Sequence, residues 1–273
     1  MIDLHLHSTA SDGQLTPQAV VAHAARVGLT AIALTDHDTI AGVAEAQATG
    51  QNLGVRVIGG CEFSVAAPWG EMHVLGYFLP AGSRELEDFL IRCREDRVRR
   101  GRLMVERLQG LGVAISFDDV LAISGGGAVG RPHVARALVA SGTVPDVNSA
   151  FDLYLGRYRP AFVEKTLPML RDVATIVHGV GGVLSAAHLK DRATRGVLER
   201  FRGDGLDAIE VRHPSHGPDQ RKRLSGFALG LGLLRTGGSD WHGEALVDGS
   251  HGAIGSQEVP AEWLDLIEER LAA

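Results

Sequence analysis

The chain has 273 residues and a formal net charge of −6, with 45% hydrophobic and 22% charged residues. That composition belongs to a globular protein with material for a large core, enough for two average domains or one large α/β barrel. The acidic balance argues against a general nucleic-acid coat but leaves room for a local basic pocket. No apolar run reaches membrane-span length, and residues 1–20 lack the basic start and apolar stretch of a secretion signal. Two cysteines, Cys61 and Cys93, argue against a disulfide framework and for a reducing cytoplasm.

In chain order, residues 1–7 read as a short strand. Thr16 and Pro17 suit the N-cap and first position of a helix that Gly28 ends. Residues 30–35 (TAIALT) read as a buried strand, 39–52 as a helix with Asp38 as its cap, and 55–60 as a strand. This alternation signals parallel strands joined by crossover helices. Residues 62–65 and 72–78 look like two further strands around a hairpin loop with Pro68 and Gly70. Residues 83–111 read as one long helix dense in arginine, roughly 40 Å if unbroken. Shorter helices follow at 117–123, 132–141 and 147–155, with no strand pattern. The α/β alternation then resumes: helices at 167–180, 194–202 and 219–229, strands at 182–187, 208–211 and 233–236, and a terminal helix at 263–271. The expected architecture is an α/β barrel formed by residues 1–79 and 161–273, interrupted by an inserted helical cap at 80–160.

Two triplets dominate the chemistry. His5-Leu6-His7 opens the chain, and Asp240-Trp241-His242 comes near its close. Side chains at i and i+2 of an extended strand share one face. Between the triplets, His37, Glu62 and His188 fall at strand ends, Asp12 in a Ser-Asp-Gly turn and His73 on a later strand. In a barrel, strand C-termini face one mouth, where residues distant in sequence can meet. Any one of these residues alone reads as a hydrogen-bonded core or turn residue. The joint pattern would be costly to bury unpaired, so it reads as a multinuclear metal site that does hydrolysis. Imidazole plus carboxylate without thiolates suits manganese first, with iron or zinc as alternatives. Two or three such ions about 3.5–4 Å apart would clamp a phosphate and activate hydroxide.

The segments DLHLHSTASDG, LTDHDT, GCEFS, AAH and GSDWH closely resemble, in order, the motifs of the PHP (polymerase and histidinol phosphatase) family. The resemblance runs from Asp3 to His242, broken by the helical insertion. It implies a distorted (β/α)7 barrel and a trinuclear centre. Carried over position by position, its metal ligands would be His5, His7, Asp12, His37, Glu62, His73, His188, Asp240 and His242. One departure is His188-Leu189, where the family usually has His-Pro; this bears on the loop path rather than on ligation. The insertion, with GRPHVARAL, and the Glu210 to His216 segment resemble most the branch that removes phosphate from nucleoside 3′,5′-bisphosphates. That branch is also described as degrading short RNA from its 5′ end.

A phosphate site is expected beside the metals. Arg131, at a helix start after glycine-rich sequence, suits bidentate phosphate binding. The resemblance adds His133 to it. Of the arginine run, Arg99 and Arg102 are the weaker phosphate candidates, since charge runs usually make solvated faces. The proton for the leaving group is assigned to one of Asp12, Asp36 and His216, with no choice among them. The expected enzyme is a phosphoric ester hydrolase using metal-activated hydroxide, with two or three divalent ions and a nucleotide or short RNA as substrate. The alternatives are a histidinol-phosphate phosphatase on the same fold and a non-catalytic module of the family; a module would be expected to have lost ligands.

Overall fold

The computed structural model describes residues 1–243 and 251–272. Seven strands form one sheet in sequential order: β1 (Ile2–Leu6), β2 (Ala31–Leu34), β3 (Arg56–Ala67), β4 (Gly70–Tyr77), β5 (Val183–Ala186), β6 (Ala208–Arg212) and β7 (Leu234–Gly237). β1–β2–β3 and β5–β6–β7 pair in parallel, whereas β4 is antiparallel to both β3 and β5. That reversed strand distorts the barrel. The sheet nearly closes where Leu6 bridges Trp241 and Ile2 bridges Val259. Closure needs a close approach at the seam. A Cβ on Gly238 would stand 2.3 Å from the His5 Cβ and 2.4 Å from its backbone nitrogen, so only glycine fits there.

The strands are short apolar runs with both faces covered, as parallel strands between helices must be. Outside them pack α1 (Pro17–Arg26), α2 (Val43–Leu53), α7 (Leu170–Gly179), α8 (Arg195–Gly203), α9 (Pro218–Leu231) and α10 (Glu262–Ala272). Between β4 and α7 lie α3 (Arg84–Gly110), α4 (Phe117–Ser124), α5 (Arg131–Ala140) and α6 (Val147–Ala150), the last running into a π-helical turn at Phe151–Leu155. Thr16 caps α1 through the Ala19 N–H with Pro17 in the first turn, and Ser116 forms a capping box with Asp119 on α4. Each such cap contributes about 1 kcal/mol.

The barrel strands and their helices share one apolar core, and β1, β2 and α1 close a second around Leu6, Ile32 and Trp241. The inserted helices pack a core of their own from Met104 to Val163. The 27-residue α3 spans both: Leu86, Phe89 and Leu90 belong to the barrel core, Met104, Val105 and Leu108 to the helical one.

Three local expectations change. Residues 56–67 make one continuous strand, because Gly60 and Cys61 are paired with Tyr77 and Gly76 rather than forming a break. The helix expected from residue 39 begins at Val43 with Gly42 as its cap. Asp38 therefore caps nothing: it takes a left-handed φ of 51° and accepts a 2.6 Å hydrogen bond from buried Arg97.

Candidate metal centre

The ligand-type residues come together at the mouth where the parallel strands end. Glu62 is the hub. Its Oε2 lies 3.3 Å from His5 Nε2, 3.1 Å from His7 Nε2 and 3.2 Å from His37 Nδ1; its Oε1 lies 2.8 Å from His73 Nδ1 and 3.1 Å from His188 Nε2. Asp240 mirrors it on the far side. Its Oδ1 is 3.2 Å from both His5 Nε2 and His7 Nε2, and 3.6 Å from His242 Nδ1. Asp12 faces His242 Nε2 at 3.3 Å and His37 Nε2 at 3.8 Å. All nine residues singled out as ligands thus stand around one centre, contributed by β1, β3, β4 and the loops after β1, β2, β5 and β7. His188 and Asp240 hold left-handed φ values of 30° and 51°, the kind of backbone strain that persists where surrounding structure fixes a functional group.

The donor set fits divalent cations. His5 Nε2, both nitrogens of His7, His37 Nδ1 and Asp240 Oδ1 are buried without hydrogen-bond partners, although they point at one another. Orphaned polar atoms of this kind are rare and call for an ion. Two donors each about 2.1 Å from a shared cation stand about 3.0–3.4 Å apart at octahedral or tetrahedral angles, close to the nitrogen–oxygen spacings above. His5, His7, Glu62 and Asp240 form one such group, His7, Asp12, His37 and His242 a second, and His37, Glu62 and His73 a third. Burial alone would raise the carboxyls of Glu62, Asp240 and Asp12; the surrounding imidazoles outweigh it and hold all three well below the usual range. The centre is built to keep its carboxylates charged.

Outer partners orient these ligands, and the sequence reading had given none of them that role. Glu210 is buried; its Oε1 accepts from His5 Nδ1 at 3.0 Å and its Oε2 from the His188 backbone N–H at 2.8 Å. The first bond leaves His5 Nε2 free to ligate. Glu71 lies 3.1 Å from His73 Nε2 and is itself paired with Lys165, whose Nζ also donates to Ser64 Oγ. Burial and nearby Arg97 push Lys165 down to about 8. His213 and His251 each stand 3.3 Å from Asp240 Oδ2. The Glu-x-x-His spacing of Glu210 and His213, and Glu71 two residues before His73, were visible signals. His251 had none, being 11 residues from its partner in a loop.

Among the remaining expected site residues, Asp12 is the one that faces the cavity. Asp36 accepts from the Ser8 N–H, Ser8 Oγ and Ser11 Oγ at 2.8, 2.7 and 2.6 Å, so it braces the turn that carries Asp12. His216 is buried, with Nδ1 on the Val211 carbonyl at 3.1 Å and Nε2 accepting from the Lys190 N–H at 3.2 Å; burial pushes it down to about 4. Both its nitrogens are engaged. His133 is buried too and caps α5 by accepting the Gly130 N–H at 2.9 Å. Arg131 stacks over Phe151 and Phe162 at 5.8 and 5.9 Å, with Glu71 4.0 Å away. Arg99 pairs with Asp96 and Arg102 lies 4.4 Å over Phe117, both on the outer face of α3 away from the metal cavity.

That cavity has a volume of about 520 Å³. Its floor is the ligand set; its opposite wall comes from the inserted helices, through Pro132, Arg136, Val147, Asn148 and Phe151. The same helices touch the ligand loop. The Ala128 N–H donates to the Ala10 carbonyl at 2.9 Å, and Arg136 donates to the Asp12 carbonyl at 2.8 Å. A Cβ on Gly127 would meet the Thr9 carbonyl at 2.5 Å.

A nearly closed seven-stranded barrel with this His/carboxylate centre at its mouth defines a metal-dependent phosphoesterase. The PHP domain family matches residues 3–165, and the chain belongs to that family. It is 35% identical over 249 residues to the 3′,5′-nucleoside bisphosphate phosphatase of Chromobacterium violaceum, covering 88% of this chain and 87% of that one. It is 32% identical over 247 residues to the 5′-3′ exoribonuclease Rnm of Salmonella typhimurium, covering 88% and 84%. Among solved structures, a Bifidobacterium adolescentis protein with a suggested metal-dependent phosphoesterase activity superposes with a TM-score of 0.90 at 33% identity, covering 98% and 96%.

Proposed function

We propose that this protein removes the 3′-phosphate of nucleoside 3′,5′-bisphosphates and also degrades short RNA from its 5′ end. The observation that carries the chemistry is the centre of orphaned imidazole and carboxylate atoms opening into a cavity large enough for a nucleotide. The substrate class rests on relatives that are similar along most of their length and named for those two activities. Two or three divalent cations fit three of the five donor groups at the mouth, and manganese suits their mixture of imidazole and carboxylate. We assign the reducing cytoplasm on the two free cysteines, Cys61 and Cys93.

When bound, such ions supply an activated water at neutral pH and neutralise charge on the phosphoryl oxygens. The chain's own residues do the rest. His5, His7, Glu62 and Asp240 would hold one ion, and Glu62 would also serve the group it forms with His37 and His73. Glu210 fixes the His5 ring, and Glu71 fixes that of His73. Of the three expected acids only Asp12 lines the cavity, and it belongs to one donor group and is held charged, so it serves as a ligand rather than as a proton donor. Asp36 and His216 support loops instead.

The test is phosphate release from adenosine 3′,5′-bisphosphate, histidinol phosphate and a 5′-phosphorylated oligoribonucleotide, each with added Mn²⁺. The reading expects fastest release from the bisphosphate, with AMP as the other product. Preference for histidinol phosphate would keep the centre and overturn the substrate. A metal-loaded protein inert on all three would support the non-catalytic alternative.

A further inference from the structure

The cavity is lopsided in its chemistry. Its floor is acidic and imidazole-rich, while Arg136 is the sole lysine or arginine among the described residues that line it. Arg136 projects from α5 and spends one N–H on the Asp12 carbonyl, which pins the guanidinium at the rim of the metal centre. No carboxylate of the described residues pairs with it. A guanidinium has five donors in a planar fork suited to phosphate, so several remain for a ligand. Beside it, Phe151 opens the π-helical turn and also lines the cavity. Single π turns of this kind recur at functional sites. The Arg131 guanidinium stacks on the Phe151 ring at 5.8 Å. Arg131 thereby braces an aromatic platform rather than facing the cavity itself.

We propose that the inserted helices form a nucleotide-reading subsite, in which Arg136 holds the phosphate that is not cleaved and Phe151 stacks the base. The inference rests on the phosphoesterase reading above and adds where the rest of the substrate lies. A bisphosphate placing one phosphate over the ligand floor must put its second anion and its base elsewhere. The acidic and histidine-lined floor offers no second anion site, and the wall offers one guanidinium. Base stacking on an aromatic face is tolerant of base identity, so the subsite selects nucleotides as a class.

The experiment compares wild type with Arg136→Met and Phe151→Leu, at matched metal content. It reads kcat/KM on adenosine 3′,5′-bisphosphate and on 4-nitrophenyl phosphate, which has neither a second phosphate nor a nucleoside. It also reads the Kd of AMP by calorimetry. Arg136→Met should lose about 10- to 100-fold on the bisphosphate, mostly in KM, as expected for removing a charge-assisted hydrogen bond. Its loss on 4-nitrophenyl phosphate should be several times smaller. AMP should bind correspondingly more weakly to Arg136→Met, and Arg136→Lys should recover part of both losses. Phe151→Leu should weaken AMP about 5- to 150-fold, the range for losing one base stack. Equal losses on both substrates, or AMP affinity unchanged in both variants, would overturn the subsite and leave Arg136 as a brace for the Asp12 loop. AMP binding that depends on Arg136 in an enzyme that cleaves no bisphosphate would keep the subsite and sink the proposed reaction instead.

Discussion

Around the metal centre, every candidate ligand sits on a barrel strand or the loop just after one, and each has at least one ionisable neighbour within 4 Å. The wall across the cavity is the reverse: it comes from helices inserted between β4 and α7, carries a single cation, and relies on an aromatic ring and backbone contacts. The difference teaches how labour divides on such a scaffold. Rigid strand ends hold atoms whose spacing must be right to a few tenths of an ångström for ion binding. A separately cored helical insertion can vary its surface without disturbing that spacing. Contact between the two runs through the Asp12 loop, by Ala128 and Arg136, and through the Asp38 turn, by Arg94 and Arg97.

The comparison breaks most visibly at the floor. Asp240→Asn should lose about 10³-fold or more in kcat and release metal, because its carboxylate stands 3.2 Å from two histidine nitrogens that are buried without hydrogen bonds and shared only with Glu62. Phosphate release and elemental analysis of the same sample check it; full activity with full metal content would refute the ligand assignment. One step outward the effect should shrink. Glu210→Gln keeps a hydrogen-bond acceptor for His5 but removes the charge, and should weaken metal binding about 10- to 100-fold. A chelator titration monitored by activity reads that shift.

The insertion should reveal itself through stability rather than chemistry. Burial pushes His133 down to about 4 from 6.5. Between those values the unfolded chain takes up a proton that the folded chain refuses. The His133 contribution is therefore complete above pH 6.5 and is lost progressively as the pH falls toward 4, on the order of 2–3 kcal/mol at most. His133→Gln supplies a neutral acceptor for the Gly130 N–H, as a capping box allows. Its melting temperature should fall less between pH 7 and 5 than that of wild type. An identical fall in both proteins would show that His133 does not titrate as its burial requires. Smallest of all, Arg99→Ala should change stability by less than about 0.5 kcal/mol and kcat/KM by less than about threefold. Its partner Asp96 is a surface pair three residues away, and it lies outside the metal cavity. A tenfold loss in a kinetic assay would put substrate on the outer face of α3.

The floor was legible because its ligands are written locally. The His5/His7 and Asp240/His242 pairs sit at i and i+2, and His37, Glu62 and His188 follow apolar strand runs. The antiparallel β4 was half legible: the Pro68–Gly70 turn announced a hairpin, but nothing local said that β5 would pair with its other edge. Glu210 shows where sequence stops short: its Glu-x-x-His spacing to His213 is visible, but only the fold brings His5, 205 positions away, against it. Arg131 and Arg136 make the same point within one helix. Both carry the same chemistry on α5, and only the packing of Phe151 and the Asp12 loop decides that Arg136 faces the cavity. The long helix was easy to see and its arginines hard to sort: Arg97 and Arg100 are buried against Asp38 and the Val163 carbonyl, whereas Arg99 is half exposed.

The most direct test is a metal titration of the chelated protein with Mn²⁺, following phosphate release from adenosine 3′,5′-bisphosphate. The arrangement of Glu62, Asp240 and their histidines predicts no release without metal, and AMP plus phosphate once two to three equivalents have bound. Undiminished turnover after complete metal removal would contradict the account at its centre, as would saturation with metal that produces no turnover.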